Sequence, residues 1–219
     1  MPVDGGAERE GLTAERVGSA PRRSLSGRFW HQGPTRYPLG SFADPASTDG
    51  RYHRRGGPGV WYASDREQAA WAELFRHFTD DGVGPFEVRR RVGAVDVAGF
   101  QVLDLTDERV RSSLGLLLED LVGDEYSISQ ELAEAAAKAG FAGILAPSAA
   151  MVGRRMLVVF STGMPSVVIG PSRVRQPPPR LADLMRLVRF RTDMPASVHS
   201  LLERVGQAGA DLVRRGRRR

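Results

Sequence analysis

Cysteine is absent from the sequence, which excludes disulfides, thiolate zinc sites and a cysteine nucleophile. Histidine is scarce, with four scattered residues in 219. That gives little support to a metal site, and no metal is expected. No stretch reaches the roughly eighteen uninterrupted apolar residues of a membrane span. The first residues, MPVDGGAEREG, lack the basic-then-apolar order of a signal peptide. A cytoplasmic protein with no membrane partner is therefore expected. No internal repeat is visible.

The length and the 41% hydrophobic content allow one well-filled core, hence a single domain with flanks. A formal charge of +5 and a pI near 10.3 raise the question of nucleic acid. The excess is local. Five arginines lie within residues 214–219, and without them the formal charge is zero, so a solvated tail accounts for the balance. Arg89, Arg90 and Arg91 sit in an alternating run that sends Arg90 to the opposite face from its neighbours, so they form no continuous basic stripe. Nucleic acid is thus not expected as a partner.

Residues 1–24 show no sustained period and are expected to form a flexible arm. A domain over 25–172 follows, and then a Pro-rich linker, amphipathic C-terminal helices and the basic tail over 173–219. Within the domain, Arg28-Phe29-Trp30-His31 reads as a short edge strand. Phe86 to Val92 and Val95 to Leu105, the latter broken in two at Gly99, read as a hairpin or meander. Thr106-Asp107-Glu108 opens a short helix, and Ser127-Ile128-Ser129-Gln130 has the form of a capping box for a helix ending near Ala139. Phe141–Leu145, Met156–Phe160 and Val167–Gly170 are apolar runs of strand length. Strands interleaved with helices predict an α+β fold, a mixed, mostly antiparallel sheet flanked by helices.

The richest stretch is GRYHRRGGPGVWYASDREQAAWAELFRHF, Gly50 to Phe78. It joins a basic glycine loop, a short strand and a helix expected over 65–79, with Ser64-Asp65-Arg66-Glu67 as a second capping-box pattern. Arg51, Tyr62 and Glu73 recur at even spacing through loop, strand and helix. An arginine fork suits a pair of phosphate oxygens, although Arg54 and Arg55 compete for that task. Tyr62 offers a stacking face and a hydroxyl. Trp71, Leu74, Phe75 and Phe78 form the apolar stripe of the helix. Glu73 points nearly opposite, a direction that suits a cleft or plain solvent.

This order of motifs resembles the RES domain family, named for its Arg, Glu and Ser. The match reads Gly50-Arg51-Tyr52, then Val60-Trp61-Tyr62-Ala63, then Ala72-Glu73, and finally Phe141 to Ala149 with Ser148 as the serine. Tyr126 and Gln130 are similar to the family's tyrosine and glutamine at a helix start. The resemblance implies an ADP-ribosyltransferase-like fold and a toxin of a toxin–antitoxin pair that consumes NAD. It also implies an antitoxin partner, and a homo-oligomer remains open. The implied reactions are NAD hydrolysis, NAD phosphorolysis and ADP-ribosyl transfer, all of which break the nicotinamide–ribose bond. Glu73, Arg51 and Ser148 would be catalytic. NAD would be bound by Arg51, Tyr62, Ser148 and a residue of the first strand, either Arg28 or His31. A RES-like module that binds a nucleotide or a partner without turnover is the alternative.

Overall fold

The computed structural model describes residues 11–42, 49–57, 59–77, 88–175 and 186–192, with Leu184, Ala196, His199, Ser200 and Glu203. The expected linker at Gln176–Pro179, most of the C-terminal helices, Phe78 and the arginine tail lie outside the described residues.

In chain order the elements are α1 (Ala14–Gly18), β1 (Arg22–Pro34), β2 (Val60–Ser64), α2 (Glu67–Arg76) and β3 (Arg90–Asp104). They continue with α3 (Glu108–Ser113), α4 (Leu118–Val122), α5 (Ser127–Lys138), β4 (Gly143–Pro147), β5 (Arg155–Phe160), a 3-10 turn and β6 (Val167–Arg175). The sheet runs β1-β2-β5-β4-β3-β6, and a further β1–β3 pairing closes five strands into a barrel-like ring. Every pairing is antiparallel except β3 with β4. A parallel neighbour needs a long crossover, and α3 to α5 supply it. The mixed, mostly antiparallel α+β architecture is the expected one.

Two expectations about the long strands are corrected. The 28–31 segment is no short edge strand: β1 pairs with β3 from Arg22↔Leu103 to Pro34↔Arg90. Nor do the described residues of the expected hairpin turn back on themselves, because β3 is one strand from Arg90 to Asp104. Its glycines bend the strand without ending it. Gly99 takes φ +63° opposite a register shift at Leu25/Gly27, the left-handed conformation of a bulge. At Gly93 a side chain would meet Leu39 and the Pro171 carbonyl within 2.9 Å.

The expected boundaries at 25 and 172 fall inside β1 and β6. Residues 11–24 are no loose arm either. The Thr13 side chain accepts from the Arg16 amide at the start of α1, the Leu12 amide donates to Glu131, and Leu12, Val17 and Ala20 enter the core. A short helix with only two or three apolar residues shows no period to read, yet α5 buries it.

Alternation along each strand divides the core. Leu25, Phe29, Trp61, Val95, Val102, Leu145, Leu157 and Val159 collect on one face of the ring. Val60, Ile144, Met156 and Val158 pack on the other side with Leu105, Leu121, Leu132 and Phe141 of the helical layer. A third cluster seats α2: Trp71 and Phe75 are buried against Ala150, Met151, Leu184 and Val188. Each such aromatic contributes roughly 1.5–3 kcal/mol by burial, enough to fix the rotation of α2 and so the direction of Glu73.

Candidate active site

A cavity of about 400 Å³ opens on the helical side of β2. Its walls include Trp30 and His31 of β1, Arg51 of the glycine loop, Tyr62 and Ser64 of β2, Glu73 of α2, and Tyr126 just before α5. Asp49, Leu74, His77, Arg90, Met156 and Arg191 line it as well.

Neither capping box forms. Ser64 is the last residue of β2, paired with Met156 and Trp30. α2 therefore starts two residues later, after Arg66, with no side-chain cap, and Glu67 accepts from Arg175 instead. At α5 the cap residue is Tyr126. The Glu125 carboxylate takes the amides of Tyr126 and Ser127, which frees Gln130 to donate to the Gly50 and His53 carbonyls at 3.0 and 3.3 Å. In both places a tertiary contact outcompetes the local motif, and at α5 the result braces the loop that carries Arg51.

Glu73 faces the cavity. The buried Ser148 hydroxyl donates to its Oε1 at 2.7 Å and itself accepts from the Ala150 and Met151 amides. Burial raises the carboxyl above the usual carboxylate range; Ser148, the Arg51 guanidinium, the Ala150 amide and Arg76 pull it part of the way back. Ser148 thus stands behind Glu73, fixing and acidifying it, and is absent from the cavity wall.

Arg51 is buried. Its Nη2 donates to the Gly123 carbonyl at 2.7 Å, and its guanidinium lies 4.5 Å from the centre of the Tyr126 ring. Nη1 is buried with no protein partner among the described residues, an arrangement that costs stability unless an acceptor arrives. Arg54 pairs with Glu134 and is absent from the wall, as is Arg55. Gly56 and Gly57 shape a turn closed by the Gly57 amide on the Arg54 carbonyl; they do not line the cavity.

The Tyr62 ring lines the cavity, but its hydroxyl is occupied. It accepts from the Tyr52 amide at 3.2 Å and shares a hydrogen bond of 2.9 Å with His53 Nδ1. Between the two first-strand candidates the geometry is plain. Arg28 lies on the exposed face, in a two-pronged pair with Asp96 at 2.9 Å, outside the cavity. His31 is on the wall, stacked 4.3 Å from Trp61. Burial, joined by the Arg90 charge, lowers its pKa to about 4 against the hydrogen bond to the Tyr62 carbonyl, so it is neutral at pH 7.

Sequence reading missed Trp30, Arg90, Met156 and Arg191. Arg76, three residues after Glu73, is also central: its side chain is 1% exposed and donates to Asp124 at 2.7 Å and to the Arg189 and Val122 carbonyls. The only signal in the sequence was its helical position beside Glu73. Among the described residues no three His, Asp or Glu side chains group as a metal site, and no helix is long and apolar enough to cross a membrane.

The model of the RES domain family matches residues 14–198. The chain belongs to the RES domain family. A Mycobacterium tuberculosis protein named a probable NAD(+) phosphorylase is 58% identical over 205 residues, covering 94% of this chain and 98% of that protein. The Mycobacterium bovis NAD(+) phosphorylase MbcT is 31% identical over 133 residues, 57% of this chain and 71% of that protein. In solved structures the M. tuberculosis MbcT–MbcA toxin–antitoxin complex contains a matching chain, with TM-score 0.67 and 25% identity over 81% of this RES chain and 97% of that one. Residues 11–24, expected to be an arm, thus mostly lie within the family match.

Proposed function

We propose that this RES protein cleaves the nicotinamide–ribose bond of NAD with phosphate as acceptor, as the toxin partner of an antitoxin protein in the cytoplasm. The observation that carries the reading is the pairing in one cavity of a serine-held carboxylate, Glu73, with a buried arginine whose Nη1 lacks a partner among the described residues. The names of its relatives give the substrate class. The fold is of the ADP-ribosyltransferase kind in this reading.

In the reaction the C1′–N1 bond breaks and its electron pair neutralises the pyridinium, so nicotinamide leaves uncharged. Positive charge builds on the ribose, an oxocarbenium-like state that a nearby carboxylate stabilises. A phosphate oxygen then forms the new bond to C1′. Glu73 supplies the carboxylate, Ser148 holds its rotamer, Arg51 takes phosphate oxygens, and the Tyr62 ring packs on the nicotinamide end. His31, neutral, contributes a polar contact without adding charge.

The deciding experiment incubates antitoxin-free protein with NAD, with and without inorganic phosphate, and identifies the products. Phosphate-dependent release of nicotinamide with ADP-ribose 1-phosphate is expected. Free ADP-ribose at an undiminished rate without phosphate reassigns the acceptor to water, label on a protein reassigns it to a side chain, and intact NAD refutes the activity.

Ser148→Ala provides a separate check. The hydroxyl lowers the Glu73 pKa, so its loss moves the acid limb of the kcat/KM profile to higher pH. A profile that falls uniformly without moving would assign Ser148 to substrate instead.

A further inference from the structure

Arg191 reaches the cavity from a part of the chain that no motif marks. Its segment is fixed on both sides. Leu184 and Val188 are buried against α2, the Arg189 amide donates to the Ala150 carbonyl at 2.7 Å, and the Arg189 carbonyl accepts from Arg76 Nη1 at 2.6 Å. Beyond Arg191, the amide and hydroxyl of Thr192 both donate to Asp124 Oδ2 at 2.9 Å. The other oxygen of Asp124 is held by Arg76. Arg76 lies one helical turn after Glu73, so one buried guanidinium ties the C-terminal strap to the helix that carries the carboxylate.

The strap sets Arg191 against Tyr126. Its Nη1 donates to the Tyr126 hydroxyl at 3.2 Å and its guanidinium carbon lies 5.7 Å from the ring centre. Arg51 sits on the same ring at 4.5 Å. Two guanidinium groups brought to one aromatic ring beside one cavity repel each other, and an oxyanion held between them reverses the sign of that interaction. One ring anchors both groups at the cavity wall: Arg51 lies over it by cation–π attraction, and Arg191 donates to its hydroxyl.

We propose that Arg191 is a substrate-binding residue: with Arg51, which contacts the same Tyr126 ring and lines the same cavity, it forms a two-guanidinium clamp for a phosphate oxyanion. The oxyanion belongs either to the pyrophosphate of the dinucleotide or to the phosphate acceptor; the chemistry of recognition is shared. The choice between these sources rests on the NAD reading, whereas the clamp itself does not.

Calorimetric titration separates them. ADP-ribose and inorganic phosphate are titrated singly into the wild type, Arg191→Gln and Arg191→Lys, with a thermal melt for each protein. Arg191→Gln is expected to bind one of the two ligands at least tenfold more weakly, with Arg191→Lys between it and the wild type, because a point charge survives while the fork is lost. Weakened ADP-ribose assigns the clamp to the pyrophosphate, and weakened phosphate assigns it to the acceptor. Unchanged affinity for both in folded Arg191→Gln overturns the proposal, as does a wild type that binds neither. A drop in melting temperature alone, with both affinities intact, overturns it in favour of a structural strap. If the wild type binds with Arg191-dependent affinity yet leaves NAD intact, the enzymatic reading falls and the clamp stands.

Discussion

Glu73→Gln is expected to lower nicotinamide release at least ~100-fold, the order seen when one electrostatic group is removed from an active site, and at the same time to raise the melting temperature. The two effects share one cause. Burial holds the Glu73 carboxyl above its ordinary pKa, so the ionised form the chemistry needs is the form the fold disfavours. A raised folded pKa means that stability is greatest below the unfolded value and falls as pH rises toward the folded one; above that the loss is constant. The amide has no charge to bury and still offers an oxygen to the Ser148 hydroxyl, so the variant escapes the loss at neutral pH. Melts at pH 4 and pH 7 test this: the gain over the wild type should be larger at pH 7. Retained turnover would place the catalytic carboxylate elsewhere, and an equal gain at both pH values would mean that Glu73 ionises freely in the cavity.

The even spacing of Arg51, Tyr62 and Glu73 was legible because a short strand and the helix after it determine where two of the three side chains point. Once Trp71 and Phe75 take α2 to the core, Glu73 has to face away from them, and β2 lies beside it. Ser148 was legible only through the family pattern, since nothing local in Ala146-Pro147-Ser148 announces a carboxylate 75 residues earlier in the chain. The capping boxes misled for a physical reason. Ser64 gains more from its place in the sheet than from capping a helix, and Gln130 gains more from bracing the Gly50–His53 turn. The same applies to β3, where Gly99, which reads as a break, sits at a bulge that its left-handed φ allows.

Arg28 and Arg191 show the complementary failure. Along an alternating strand Arg28 is as plausible as His31, and the closure of β1 on β3 is what sets Arg28 opposite Asp96 and away from the cavity. Arg191 gives no periodic signal at all. Its position depends on Arg76, 113 residues before the carbonyl that guanidinium holds, and on Asp124, reached across 68 residues by Thr192. Long-range polar contacts of this kind have no local signature, so a site assembled from strap, loop and helix is legible only in the parts that lie close together in sequence.

Arg51→Lys is expected to raise KM for NAD by about tenfold or more while lowering kcat less, the signature of a contact made in both ground and transition states. The geometry sharpens this. Nη2 is spent on the Gly123 carbonyl and Nη1 has no acceptor among the described residues, so in the proposed reading one nitrogen fastens the chain and the other is offered to the ligand. A lysine ammonium is one point. It can reach the carbonyl or the phosphate at full strength but not both, and it gives up the guanidinium contact with the Tyr126 ring. Arg54→Lys is the control, since Arg54 pairs with Glu134 at a partly exposed position where exchange of one cation for another changes little. Measuring both constants and the melting temperature for the two variants decides the assignment. An unchanged KM with a lower melting temperature at 51 would show that the arginine only fastens the loop, and a KM effect at 54 would move the phosphate contact outside the cavity described by Glu73, Tyr62 and Tyr126.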